Sequence, residues 1–410
     1  MAVRRSSGGD PYRWAVLAAG TGASTAFSAV LLGLPVLAPV FREEFDLTLT
    51  EVGIVLASVW VGPIFTLLPW GLAADRFGER WALAVGLTAM GLLVGAGAAV
   101  DDFYALVVLL GLASAAGASV NSASGRAVMH WFGADERGFA LGLRQASLPL
   151  GGALAAVTLP PIAGATSLDG ALVFLAVLCL VAALVAALVL RDRPATSSVE
   201  EPEPWTLRDR RLWLLSAGSS LFLVAQIALT GFLVLFLHDA RGLSTGRAAA
   251  VLAVAQVIAI GLRIGVGRWS DRARARVRPL RLVGLAIFAT LALSAALVTV
   301  PLEILIPTLV VATAFSMMWN GLSYTAAAEL AGSSRSGAAI GFQQMTLSIV
   351  GFLAAPMFAA LVDASSWRTG FAVFAAAPLA GWWLLGGLDE TDLSRRAALL
   401  APRRRPQSGQ

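Results

Sequence analysis

The chain has 410 residues, of which 58% are hydrophobic and only 13% are charged, and its mean hydropathy is +0.78. Because soluble domains average about 25% charged residues, these values exclude an ordinary soluble domain and indicate a protein of the lipid bilayer. The formal net charge of +5 and the pI of about 10.4 come from arginines whose positions, described below, explain the basic charge without a nucleic-acid partner.

Twelve apolar runs are long enough to cross the hydrocarbon core, which takes about 20 residues at 1.5 Å per residue. The predicted spans, all α-helical, are residues 14–40, 50–71, 81–100, 103–125, 138–163, 169–190, 212–237, 246–268, 280–300, 302–327, 336–362 and 368–388. The first span follows two arginines, as a secretory signal does. Its 27 largely apolar residues exceed the roughly 7–15 of a cleavable signal core, so we expect this span to be retained.

The 30 basic residues, all arginine, are distributed unevenly between the two sides of the membrane. If the N-terminus is cytoplasmic, four arginines face outward, two lie inside spans and the other 24 are cytoplasmic. The outward four are Arg42, Arg241, Arg247 and Arg368, and the two inside spans are Arg144 and Arg263. This asymmetry follows the positive-inside rule and predicts an integral plasma-membrane protein with both termini cytoplasmic.

A charged segment, residues 71–80 (GLAADRFGER), separates the second and third spans. Charged groups between two apolar runs indicate a tight hairpin at the membrane surface. Gly71 allows a neighbouring helix to approach closely, and Gly78 can take the positive φ that a sharp helix-to-helix reversal often needs.

A shorter copy of this segment, residues 267–272 (GRWSDR), lies 196 positions downstream. Asn121 and Asn320, like Gln145 and Gln344, match at an offset of 199. Matches half a chain apart indicate an internal duplication. We therefore predict four parts, which are an N-terminal six-helix bundle (1–190), a cytoplasmic linker (191–211), a C-terminal six-helix bundle (212–390) and a basic cytoplasmic tail (391–410). The tail is interpreted as a topology and anionic-lipid signal, with a regulatory partner site as the alternative.

The spacing G-x-x-x-D-R-x-G-x-R in residues 71–80 resembles the signature of the major facilitator superfamily, where it lies between transmembrane helices 2 and 3. Glu79 stands where the usual signature has a second basic residue. The resemblance implies an all-α membrane protein with twelve transmembrane helices in two pseudo-symmetric six-helix bundles. It also implies a transporter, not an enzyme, that works by alternating access on a small-molecule substrate.

The two charged segments are predicted to form the cytoplasmic gate. Asp75 is expected to meet the N-terminal dipole of a helix in the other half, or to pair with Arg126, only while the inner side is closed. The residues assigned to gating are Gly71, Asp75, Arg76, Gly78, Arg80, Arg126, Gly267, Asp271 and Arg272.

Polar side chains concentrate in spans 1, 4, 5, 7, 8, 10 and 11, whereas spans 3, 6, 9 and 12 are nearly bare. Because an unpaired polar group facing lipid is costly, the polar spans are predicted to surround a central cavity. The residues predicted to bind substrate there are Asn121, Arg144, Gln145, Gln226, Arg263, Asn320, Tyr324 and Gln344. The amides have an alternative role as hydrogen bonds between helices.

Arg263 lies eight residues before Asp271, about 12 Å into the membrane, where an arginine normally faces a partner or a water-filled cavity. Every Asp and Glu lies in a terminus, in a loop or near a span end, so we hypothesise that an anionic, carboxylate-like substrate supplies the compensating charge. The alternative is a structural arginine held by helix-end carbonyls, or one that snorkels inward. The pattern from Arg263 to Arg272 is also similar to helix 8 of nitrate- and oxalate-type carriers.

Three functions remain open on this sequence. The first is transport of a small organic anion, and the second is export of neutral or amphipathic compounds past an apolar wall of Trp60, Trp70, Phe315 and Trp319. The third is a membrane sensor that binds its ligand without moving it. No titratable group in the core indicates proton coupling, so symport and exchange against a counter-substrate stay open. A monomer without cofactor, metal or nucleic-acid partner is expected.

Overall fold

The computed structural model describes residues 11–132, 143–191, 209–331 and 336–388. Its regular secondary structure is entirely helical over these ranges. The helices are α1 (Tyr12–Glu44), α2 (Leu49–Phe77), α3 (Glu79–Gly97), α4 (Phe103–Gly117), α5 (Ser119–Trp131), α6 (Ser147–Ala165), α7 (Leu168–Val189), α8 (Arg210–Leu235), α9 (Thr245–Ala273), α10 (Val277–Ala296), α11 (Leu302–Ser316), α12 (Asn320–Ala331), α13 (Ser336–Ala364) and α14 (Trp367–Leu385). A short π-helix, Phe236–Ala240, extends α8.

These helices make the twelve predicted spans. Eleven helical segments of the described chain are long and apolar enough to cross a membrane, with α4 and α5 forming one span and α11 and α12 another. The twelfth span is α14, whose 19 residues include Arg368 and three tryptophans that lower its hydropathy. The interior of the predicted linker (192–208) and the whole of the predicted tail (391–410) lie outside the described residues.

The helix boundaries repeat between the two halves of the chain. Helices α4 and α11 begin and end 199 positions apart, and α2 and α9 begin and end 196 positions apart. The fourth span of each half is broken at the same place, after Gly117 in one half and after Ser316 in the other. The duplication found in the sequence is therefore matched by a duplication of three-dimensional structure.

The hairpin after α2 is tighter than the sequence indicated. Helix α2 continues to Phe77, so Asp75 and Arg76 lie in its last turn and not in a loop, and α3 begins at Glu79. Gly78 alone makes the reversal with a φ of 93°, as its lack of a Cβ allows. At the matching point of the second half, Arg274 takes a left-handed φ of 49°.

The two halves pack together at one end of the bundle only. We call this the sealed end; it contains the helix ends at Glu44, Leu49, Ala240, Thr245 and Ala364. The opposite end, where the chain enters and leaves the linker, is called the linker end. In α2 the buried residues run from Leu49 to Pro63, with only Ala74 beyond, and in α9 they run from Ala248 to Ala259, with only Ser270 beyond.

Glycines report the same separation of the halves. A Cβ added at Gly53 would lie 2.9 Å from Ala359, and one added at Gly351 would lie 2.4 Å from the Trp60 ring. By contrast, a Cβ would meet nothing within 4 Å at the glycines nearer the linker end, namely Gly71, Gly261, Gly265, Gly267, Gly337 and Gly341. The close helix approach expected at Gly71 is therefore absent, because the halves have separated there. We infer from this burial pattern that a cavity between the halves opens at the linker end.

Polar contacts join the two halves at the sealed end. Arg42 of α1 forms an ion pair with Asp239, which follows α8 in the π-helix. Asp363 of α13 accepts hydrogen bonds from the backbone N–H of Thr50 at 3.0 Å and from its hydroxyl at 2.8 Å. These contacts close the side of the cavity opposite the linker end.

Candidate functional site

Arg263 lies one turn beyond the last buried residue of the sealed half of α9, which places it at the closed apex of the inferred cavity. Its Nε donates to the Met317 carbonyl at 2.7 Å, its Nη1 to the Gln145 carbonyl at 2.8 Å and its Nη2 to the Asn320 Oδ1 at 2.7 Å. All three acceptors are neutral. Because Gln145 belongs to the N-terminal half, Arg263 also bridges the two halves.

The two backbone carbonyls are available because both helices are interrupted there. In a regular helix the Gln145 carbonyl would accept from the N–H of residue 149, but residue 149 is proline and has no N–H. A turn at Ala146 separates the helical residues 143–145 from α6. Met317 lies between α11 and α12, outside both helices. An intramembrane carbonyl without a helical partner needs another donor, and Arg263 serves both.

Arg144 is held differently. Its Nε donates to the Ser124 hydroxyl at 2.9 Å, and Ser24 donates to the same hydroxyl at 3.4 Å. The second half has a matching set 195 to 199 positions later, in which Gln343 donates to Ser323 and Ser323 contacts Ser219. Arg144 therefore stands where the C-terminal half has a neutral amide. Its Nη1 and Nη2 have no hydrogen-bond partner among the described residues.

Tyr324 lies near both arginines. No carboxylate is hydrogen-bonded to either arginine within the part of the chain that the structure describes. Glu329 lies near the linker end of α12, in the fourth span of the C-terminal half. It pairs with Arg276 at 3.0 Å. The apex thus carries two guanidinium groups and a phenol in a site where the protein provides only neutral acceptors.

The predicted amides have different positions. Asn320 is 7% exposed and holds Arg263 through its side chain, whereas Gln145 uses its backbone carbonyl. Gln226 is buried, and its side-chain oxygen accepts a hydrogen bond from Trp319 Nε1 at 3.1 Å. This bond connects α8 to the segment between α11 and α12. Asn121 and Gln344 are half-buried. The matched amides Gln145 and Gln344 therefore do not act as a symmetric pair in this conformation, because Pro149 is replaced by Ser348 in the second half.

The first charged hairpin lies at the open linker end. Asp75 and Arg76 are exposed, and the guanidinium groups of Arg76 and Arg80 lie 5.4 Å from the ring centroids of Phe77 and Trp81. The side chain of Arg126, the expected partner of Asp75, lies outside the described residues, although its backbone is part of α5. The gating assignments at this hairpin stay predictions.

The second charged segment extends further than its sequence match. Asp271 accepts from Arg276 Nη1 at 2.6 Å, and Arg276 also donates to Ser270 and pairs with Glu329 of α12. Burial acts to lower the pKa of Arg276, but hydrogen bonds to Glu329 and Asp271 raise it above its ordinary value. Arg276 matches Arg80 at the offset of 196. The sequence match ended at Arg272, which is exposed, and aligning the two segments beyond that residue would have found this correspondence.

The sequence named Asn320 and Gln145 and gave helix-end carbonyls as the alternative partners of Arg263, and both carbonyl acceptors of Arg263 are of that kind. The sequence did not identify Ser124 or Met317. Ser124 and the Met317 carbonyl give no sequence signal, because a serine and a backbone carbonyl are present in most helices. Pro149 was visible four residues after Gln145, and the missing N–H at that spacing could have identified a free carbonyl.

The comparisons with known proteins agree with this architecture. A family model described as Major Facilitator Superfamily matches residues 15–355. An MFS-type transporter of Mycobacterium tuberculosis strain H37Rv, itself uncharacterised, is 30% identical over 382 residues, which is 92% of this chain and 86% of that protein. The hexuronate transporter of Bacillus subtilis is 26% identical over 57% of this chain and 58% of its own length. A probable sulfoacetate transporter of Cupriavidus necator is 26% identical over 64% and 66%, respectively.

Two solved structures share the fold at low sequence identity. A nucleoside transporter gives a TM-score of 0.72 with 14% identity and covers 90% of this chain and 99% of its own. A bacterial homologue of the human lysosomal transporter Spinster, in an inward-facing and occupied conformation, gives 0.68 with 17% identity and covers 96% and 97%. At these identities the likeness concerns the fold alone.

Proposed function

Because the chain belongs to the Major Facilitator Superfamily, a family of membrane transporters, we propose that it carries a small organic anion by alternating access. The observation that carries this proposal is the pair Arg144 and Arg263 at the apex of the cavity, with no carboxylate bonded to either among the described residues. Buried charges are costly unless they are paired. A carboxylate or sulfonate substrate is the pairing group that such a site lacks.

The geometry suggests how an anion would be held. Nη1 and Nη2 of Arg144, for which the described part of the chain provides no acceptor, form one edge of a planar guanidinium that suits two oxygens of a carboxylate. The Tyr324 hydroxyl, which lies near both arginines, can donate a further hydrogen bond. Arg263 would then face the same anion from the other half, so that the substrate contacts both halves.

Two relatives support an anion. They are named as a hexuronate transporter and a probable sulfoacetate transporter, and both of these named substrates carry acidic groups. The alternative exporter of neutral compounds relied on a wall of aromatic side chains. Trp319 is fully buried and donates to Gln226, and Trp70 donates to the Ala115 carbonyl at 2.8 Å. These two tryptophans serve packing between helices, whereas Trp60 lines a small, mostly apolar pocket between the halves, so the exporter keeps only part of its predicted wall.

The orientation follows from the arginine distribution. Four arginines that were predicted to face outward, Arg42, Arg241, Arg247 and Arg368, lie at the sealed end. By the positive-inside rule the linker end and both termini are cytoplasmic, and the conformation described here is open to the cytoplasm. A monomer suffices for this mechanism, and coupling to a proton or to a counter-substrate is left open.

The test is ligand binding by the purified protein. Thermal-shift and calorimetric titrations with sulfoacetate and D-glucuronate should show binding, whereas D-glucose and choline should not. Arg263→Gln should lower anion affinity about ten- to a hundredfold, because a hydrogen bond to a charged group contributes roughly 1.5–3 kcal/mol, and Arg263→Lys should retain part of it. Arg247→Gln is the control, because Arg247 is an exposed residue at the sealed end, away from Arg144 and Arg263, and its loss should leave the anion affinity unchanged. Binding of choline or glucose alone, or a folded Arg263→Gln variant with unchanged anion transport, would overturn the proposal.

A further inference from the structure

Pro149, near the start of α6, affects the hydrogen bonding of the residue four positions before it. It is buried near the start of α6, and it is the residue whose missing N–H leaves the Gln145 carbonyl without a helical partner. In the second half the matching residue is Ser348, which has a backbone N–H. The proline is therefore a feature of one half only, and it is the half that does not contain Arg263.

The free carbonyl and the substrate need the same donor. Arg263 donates one hydrogen bond to a protein acceptor from each of Nε, Nη1 and Nη2, so only the second N–H of Nη1 and of Nη2 is left for a substrate. Two of the acceptors, Met317 and Asn320, belong to its own half, and only the Gln145 carbonyl comes from the other. An anion that binds the Nη1–Nη2 edge shares Nη1 with the Gln145 carbonyl and Nη2 with Asn320, and it competes with each acceptor for the position of the guanidinium. If one half moves against the other, the Gln145 carbonyl is the acceptor that Arg263 loses.

We propose that Pro149 is a positioning residue that makes the Gln145 carbonyl an internal competitor of the substrate anion for Arg263. In the empty carrier the carbonyl occupies Nη1 and ties α6 to α9. When an anion binds Arg263, the tie is released and the two halves can move against each other. The inference rests on the proposed anion function, but it concerns a different bond and can fail separately.

Pro149→Ala tests the competition without altering either arginine. The new N–H at residue 149 offers the Gln145 carbonyl a helical partner, which weakens its bond to Arg263. Since a carbonyl can accept two hydrogen bonds, we expect a moderate effect, with sulfoacetate or D-glucuronate bound about three- to tenfold more tightly. Pro161→Ala, in the same helix and exposed, is the matched control and should bind as the wild type does.

A second measurement needs no anion. Cysteines introduced at the exposed residues Leu150 and Trp269, in a Cys179→Ala background, can carry nitroxide labels. Double electron–electron resonance then measures the distance between α6 and α9. Without anion, Pro149→Ala should shift the distance distribution away from that of the wild type, and Pro161→Ala should not. With anion, the wild type should shift in the same direction.

The outcomes separate the two proposals. If no anion binds the wild type, the proposed function fails, and the anion-free distances still decide whether Pro149 creates the tie. If anions bind but Pro149→Ala neither binds them more tightly nor changes the distances, the inference about Pro149 is overturned while the anion function stands.

Discussion

At the scale of single residues, the two intramembrane arginines have unequal freedom. Among the described residues Arg263 is bonded through all three nitrogens, whereas Arg144 is bonded only through Nε to Ser124. The sequence could identify both residues, because an arginine in an apolar span is rare and costly. It could not rank them, because the difference depends on which carbonyls and hydroxyls the folded chain brings within reach.

Arg144→Gln is the sharpest single substitution for the anion site. Gln343 shows that an amide at this position forms the bond to the neighbouring serine, so the variant should fold and unfold thermally like the wild type. Its affinity for sulfoacetate or D-glucuronate should fall about tenfold or more, because a charge-assisted hydrogen bond is lost. Isothermal titration measures the affinity. An unchanged affinity would remove Arg144 from the site.

At the scale of helices, the positions of the spans followed from apolar length, but the breaks within them did not. The fourth span of each half ends its first helix after Gly117 or Ser316 without a proline. A Cβ at Gly117 would lie 2.5 Å from Met90 and 2.8 Å from Phe27, so tertiary packing, which no local pattern reports, has a strong influence on this break. The end of α2 was also misplaced, because two charged residues in a last helical turn look like a loop in the sequence.

A pair of glycine variants in α13 tests which part of this helix seals the carrier. Gly351→Ala places a Cβ 2.4 Å from the Trp60 ring, and overpacking of this kind costs about 1–3 kcal/mol. Gly341→Ala meets nothing within 4 Å and should be neutral or slightly stabilising, since alanine favours helix by about 1 kcal/mol. Thermal unfolding of both proteins gives the comparison. Equal unfolding temperatures would show that α2 and α13 do not pack as described.

Thiol labelling along α9 tests the opening of the cavity. In a Cys179→Ala background, cysteines at Gly261 and Gly265 should react with a water-soluble maleimide, because both positions face open space. Cysteines at Ala249 and Ala255, which are fully buried, should not. A cysteine at Gln226 should also stay unreactive in this conformation, although the sequence placed that residue in the cavity, because its amide is buried against Trp319. Reaction at all five positions would contradict the sealed packing.

At the scale of the whole molecule, the duplication was readable from the sequence and the conformation was not. A transporter of this kind has the same helices, and nearly the same contacts within each half, whichever side is open. Composition therefore predicts the two bundles, whereas the open side depends on small differences among the contacts that join them. Those contacts are the sealed-end pairs Arg42 with Asp239 and Thr50 with Asp363, opposed by the predicted latch of Asp75 at the linker end.

Asp239→Asn and Asp75→Asn should therefore shift the carrier in opposite directions. The first weakens the ion pair with Arg42, whose side chains are 38% and 21% exposed, and a pair of this exposure contributes about 0–1 kcal/mol. We expect up to about a fivefold loss of the linker-open population, measured as slower maleimide labelling of a cysteine at Gly261. The second removes the latch that holds the linker end closed, so the same cysteine should react faster. Asp102→Asn is the control, because Asp102 is also at the sealed end but caps α4 by accepting from the Ala105 N–H at 2.7 Å within its own half. If both variants change the labelling rate in the same sense, the two ends do not oppose each other, and the latch assigned to Asp75 is wrong.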